Sequence, residues 1–131
     1  MRETRRATID DLRRVPKHGK AELVNGKVVR MSPTGGLPGY AAGQVFASLR
    51  DYARRTKTGH AMPDNVGFVV DLPHRQSFSP DASFHVGELS MEFVRGAPVF
   101  AVEVRSKGDY GPTAEREAAA KRWTTSRQAR W

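Results

Sequence analysis

Ala21-Glu22-Leu23-Val24-Asn25-Gly26-Lys27-Val28-Val29-Arg30-Met31 decides the local architecture of the first third of this chain. Two β-rich runs flank Asn25-Gly26, and both residues of that pair tolerate positive φ, the requirement of a type I′ turn. The stretch therefore predicts a β-hairpin. Towards the N-terminus, Thr8 caps a short helix through Ile9, Asp10, Asp11 and Leu12. Asp11 stands three residues after the cap, a weaker form of the capping box, and Pro16 closes the element. Towards the C-terminus, Ser32-Pro33-Thr34-Gly35-Gly36 forms a loop, and a helix runs from Leu37 or Pro38 to Arg55. Its apolar positions Ala42, Val45, Phe46, Leu49, Tyr52 and Ala53 share one face, and Gly59 is the expected terminator.

Strand candidates come next. Asn65-Val66-Gly67-Phe68-Val69-Val70-Asp71 is followed by a Pro73-bearing turn and the run Phe78-Ser79-Pro80-Asp81-Ala82-Ser83-Phe84. The third candidate is Pro98-Val99-Phe100-Ala101-Val102-Glu103-Val104. A last helix starts near Pro112, with Glu115 and Glu117 early and Lys121 and Arg122 late, which suits the helix dipole. The order hairpin, helix, three strands, helix indicates an α/β or α+β domain in which a sheet packs on at least one helix. At 131 residues the whole chain, 1–131, reads as one domain.

Composition narrows the class. There are no cysteines, which excludes disulfide scaffolds and thiolate metal sites. No apolar run reaches membrane-span length, and Met1-Arg2-Glu3-Thr4-Arg5-Arg6 lacks the apolar segment of a secretory signal, so a cytoplasmic protein is expected. The net charge of +8 sits at the ends. Residues 1–20 carry seven basic and three acidic groups (+4), residues 122–131 three arginines (+3), and residues 21–121 only +1. Such ends attract polyanions without specificity, and solvated tails explain them equally well.

Asp81 and Glu103 each stand alone as a carboxylate inside an apolar strand-like run. A charge there loses hydration and needs a compensating cation. Two such groups on neighbouring strands can converge on one point, and a hard divalent ion is the natural compensator. Arg105, Lys107 and Lys121 follow.

Together, Glu22-Leu23-Val24-Asn25-Gly26-Lys27-Val28-Val29, Ser79-Pro80-Asp81-Ala82-Ser83-Phe84 and Phe100-Ala101-Val102-Glu103-Val104-Arg105-Ser106 resemble the Uma-type family of putative restriction endonucleases, part of the PD-(D/E)xK nuclease superfamily. The resemblance covers residues 20–122. It implies a restriction-endonuclease-like fold, a mixed sheet flanked by helices, and DNA cleavage dependent on Mg²⁺ or Mn²⁺, with homodimers expected. By the same resemblance Asp81 matches the metal-binding aspartate, and Glu103 matches the glutamate of the ExK element. Lys121 matches a lysine displaced into the following helix, Arg105 standing where that element would have it. Glu22 matches an acidic residue that extends the metal shell.

The tail, residues 123–131, departs from the family pattern. One set of codons for Trp123-Thr124-Thr125-Ser126-Arg127-Gln128-Ala129-Arg130-Trp131 would, in another frame, encode Asp-Tyr-Phe-Ala-Ala-Gly-Thr-Leu, the family's own kind of continuation. A frameshift that truncates the protein is therefore expected, and the gene's nucleotide sequence tests it. Plainer readings stand beside the functional ones: Asp81 as a turn aspartate after proline, Glu103 as half of an ion pair, Lys121 as the surface partner of Glu117, and Glu22 as an ordinary hairpin residue. The four histidines show no metal-ligand spacing, although His85 shares strand parity with Asp81. Two functions follow: a metal-dependent DNA endonuclease, or a non-catalytic nucleic-acid-binding remnant of the same fold.

Overall fold

The computed structural model describes residues 5–16 and 19–105. Lys107, the expected last helix with Lys121, and the tail 123–131 lie outside the described residues. Among the described residues there are two helices and eight strands: α1 (Ile9–Arg13), β1 (Lys20–Val24), β2 (Lys27–Met31), α2 (Gly36–Thr56), β3 (His60–Met62), β4 (Phe68–Leu72), β5 (Arg75–Phe78), β6 (Ala82–His85), β7 (Val94–Arg95) and β8 (Phe100–Val102).

The hairpin forms as expected. Lys20 pairs with Met31 and Val24 with Lys27, and Asn25 and Gly26 take φ of 51° and 71°. Its turn is tied down elsewhere: Asn25 N–H donates to the His74 carbonyl at 3.0 Å, and Gly26 N–H to Gln76 Oε1 at 2.9 Å. The capping box of α1 is also present, Thr8 Oγ1 accepting from Asp11 N–H and the Asp11 carboxylate accepting from Thr8 N–H. That backbone N–H, and then Arg5, hold the Asp11 carboxyl below its ordinary pKa.

The expected α+β domain is observed, with its strands divided between two sheets. The first has the order β2-β1-β5-β4-β7 and is mixed, since β4 and β7 run parallel while its other pairs are antiparallel. The second has the order β3-β6-β8 and is antiparallel. Phe68, Val70 and Phe78 of the first sheet form the buried core, and Met62 and Ala101 of the second pack against it. Helix α2 packs on β3 and β6, and the Tyr52 ring meets Phe84 edge-on at 5.5 Å. Its predicted face is half-buried at Ala42, Val45, Phe46, Leu49 and Ala53. Among the described residues no helix is long and apolar enough to cross a membrane.

Three expectations need correction. First, the run Phe78–Phe84 is not one strand. Chain pairing ends with β5 in one sheet and resumes with β6 in the other, and Ser79-Pro80-Asp81 crosses between them. Pro80 has no N–H to give a ladder, so the strand breaks there. Second, β8 ends at Val102, and Glu103 just beyond it is exposed rather than buried. Third, Gly59 does not terminate α2. Lys57 does, in the left-handed region at φ 54°, its N–H returning to the Ala53 carbonyl.

Gly59 is needed for a different reason. A Cβ there would lie 2.6 Å from the His85 carbonyl oxygen and 2.6 Å from a Phe84 ring carbon. The backbone oxygen cannot step aside without disturbing β6, so Gly59→Ala is expected to destabilise by about 1–3 kcal/mol. Urea unfolding checks this; a midpoint equal to the parent's would refute it.

Candidate active site

Asp81 is presented at the end of the crossover, immediately before β6. The ladder between β6 and β8 finishes with the pair Ala82↔Val102, so Asp81 and Glu103 are the residues that leave it at the same end. Two bonds then bracket Glu103. Asp81 N–H donates to the Val102 carbonyl at 3.0 Å, and Asp81 Oδ2 accepts from Val104 N–H at 2.7 Å. The Asp81 side chain is 17% exposed, and the segment carrying Glu103 is fastened to it on both sides of the glutamate.

The second oxygen of Asp81 meets a cation that the sequence reading missed. Lys20 Nζ lies 3.2 Å from Asp81 Oδ1 and 2.8 Å from Asp64 Oδ1. Burial pulls the Lys20 pKa down, but the hydrogen bond to Asp64 and the charges of both aspartates outweigh it, leaving the ammonium above the ordinary lysine value. Asp64 is held in turn, its Oδ1 accepting from Asn65 N–H at 2.8 Å, while Asn65 takes a φ of 67°. Sequence separations of 61 and 44 residues leave no local signal for this cluster. The one hint is that Lys20 and Glu22 share strand parity.

Glu22 is the carboxylate withdrawn from water, at 1% exposure. Its Oε1 accepts from Arg75 Nη1 at 3.0 Å and its Oε2 from Ser79 N–H at 2.8 Å. The second bond serves the crossover directly: it satisfies the backbone two residues before Asp81. Among the described residues no group of three or more His, Asp or Glu side chains is arranged to hold a metal ion. The pair Asp81 and Glu103 still offers hard oxygen donors. The place before Asp81 Oδ1 already accommodates positive charge, as a divalent ion would require.

His85 ends β6 and packs edge-on near the Phe68 ring at 6.4 Å. It lines an open cavity of about 760 Å³ together with Thr8, Arg13, Glu88, Glu92 and Arg95. Neither Asp81 nor Glu103 lines that cavity. Its charges are of both signs, and Arg13 and Glu92 pair across it at 3.1 Å, so it expresses no preference for anion or cation.

The α+β domain thus delivers Asp81 and Glu103 to one end of the β6–β8 ladder. Comparison with known proteins gives the family. The sequence profile of the Uma2 family, described as "Putative restriction endonuclease", matches residues 9–123, and the chain belongs to that family. Among solved structures the fold is similar to the crystal structure of a putative nuclease belonging to DUF820 from Anabaena variabilis, with a TM-score of 0.66 and 18% identity. The match covers 87% of this chain and 66% of that one, so the chain spans just under two thirds of the length of that structure. No curated protein matches the sequence.

Proposed function

We propose that this protein is a divalent-cation-dependent DNA endonuclease that hydrolyses phosphodiester bonds with Asp81, Glu103 and Lys121. The observation that carries the reading is the double tie of Asp81 to Val102 and Val104, which keeps it beside the Glu103 segment. Carboxylate oxygens of these two residues would hold Mg²⁺ or Mn²⁺, which supplies Lewis-acid polarisation of the scissile phosphate and acidifies a water. The chain's own groups do the rest. Val104 N–H fixes the orientation of the Asp81 carboxylate, so little reorganisation is needed when charge develops at the phosphate. Glu103, exposed at the end of β8, faces no steric bar from burial. Lys121 is assigned the orientation of the attacking water and the neutralisation of charge on the phosphate.

We assign Glu22 the part of a buttress beneath the crossover, because its oxygens bind Arg75 and Ser79. The basic ends, +4 over residues 1–20 and +3 over 122–131, supply attraction for the DNA backbone. Exposed Leu37 and Tyr40 on α2 suit contact between copies, in keeping with a cytoplasmic homodimer.

Incubation with supercoiled plasmid tests the reading. Nicking and linearisation are expected with Mg²⁺ or Mn²⁺ and not with EDTA. Absence of cleavage by this chain under all of these conditions would favour the non-catalytic remnant.

A further inference from the structure

Lys20 is the first residue of β1, and its ammonium is shared between two carboxylates from different loops. Its side chain is 19% exposed and that of Asp81 17%, so the contact between them is largely shielded from water. Asp64 is 55% exposed, yet it makes the shorter contact, 2.8 Å against 3.2 Å. The ammonium is thus anchored on Asp64 and leans on Asp81.

We propose that Lys20 is a built-in counter-cation that competes with the divalent ion for Asp81 and sets the ion concentration at which the site fills. The inference rests on the reading of Asp81 as a metal ligand. A small divalent ion approaches a carboxylate oxygen to about 2.1 Å and takes it as a full ligand. It must then either share Asp81 Oδ1 with the ammonium, against repulsion between like charges, or push the ammonium away. Asp64 is the place of retreat: Lys20 keeps a partner there after leaving Asp81. Either route weakens ion binding, and removal of the ammonium charge a few ångströms away is expected to strengthen it about tenfold. Lys20 is a positioning residue in this scheme. When the ion is absent it holds the Asp81 carboxylate in its bound orientation.

Calorimetric titration of the full chain with Mn²⁺, without DNA, provides the test. Lys20→Met is expected to bind Mn²⁺ about tenfold more tightly than the parent, and Lys20→Arg, which keeps the charge, about as the parent does. Asp64→Asn removes the retreat and is expected to bind more weakly; it decides the matter should Lys20→Met not fold. A purely structural role for Lys20 predicts the opposite sign, because loosening Asp81 would weaken the site. Unchanged or weaker binding by folded Lys20→Met, with binding abolished in Asp81→Asn, overturns the competition while leaving Asp81 a ligand. Parent-like Mn²⁺ binding in Asp81→Asn, or no binding by the parent, removes the metal reading and this inference together.

Discussion

In Asp81→Asn, divalent-ion-dependent cleavage of plasmid DNA is expected to fall by about 10²–10³-fold or more while the fold survives. The substitution separates charge from shape. Asparagine keeps a carbonyl oxygen that can accept from Val104 N–H, the 2.7 Å bond that fixes the end of the crossover. It lacks the negative charge that a cation and Lys20 both need. The accompanying stability change is modest, about 1–2 kcal/mol, because the lost contact is largely shielded from water but Lys20 still has Asp64. Cleavage rate and thermal midpoint should therefore separate. Parent-like cleavage would remove Asp81 from the chemistry; a collapse of the midpoint would make it a structural residue.

Glu22→Ala has the largest expected effect on stability, about 3–5 kcal/mol. It strips Arg75 of its carboxylate partner in a place where the arginine side chain is only 9% exposed, and leaves Ser79 N–H without its acceptor. Arg75 Nε is already buried without a hydrogen-bond partner, and Nη1 reaches the Ser77 carbonyl only at 3.4 Å, a weak and uncharged substitute for the carboxylate. For a domain of this size such a cost is a large share of the whole folding free energy. The double variant Glu22→Leu with Arg75→Met replaces both charges by apolar groups and should regain much of the loss, since the expense lies in an uncompensated buried charge. Chemical denaturation of the two variants measures this. A Glu22→Ala protein that keeps its midpoint but loses Mn²⁺ binding would return Glu22 to the metal shell.

Glu103 and Glu22 show where reading by pattern reaches its limit. Apolar neighbours in sequence marked Glu103 as buried, yet β8 ends one residue earlier and leaves it in solvent. Glu22, with equally apolar neighbours, is withdrawn because β1 is flanked by both β2 and β5 and the crossover closes over it. Alternation along one strand reports a face. It does not report how many layers cover that face.

Local elements were legible because their causes are local. Asn25-Gly26 carries its positive φ angles wherever it stands, Thr8 and Asp11 make their reciprocal bonds within one turn, and the spacing of Ala42, Val45, Phe46 and Leu49 specifies a helical face. Strands β3, β5 and β7 went unread: they are two to four residues long and carry no sustained alternation. The sequence by itself thus determined the hairpin, the long helix and the α+β class, and it singled out Asp81 and Glu103 as candidates. Tertiary structure alone decided that the strands divide into two sheets at Ser79-Pro80. It alone brought Lys20 to Asp81 across 61 residues, and chose Glu22 as the buried acid. The reason is that partners for buried or half-buried charges are selected by proximity after folding, and sequence distance carries no record of that choice.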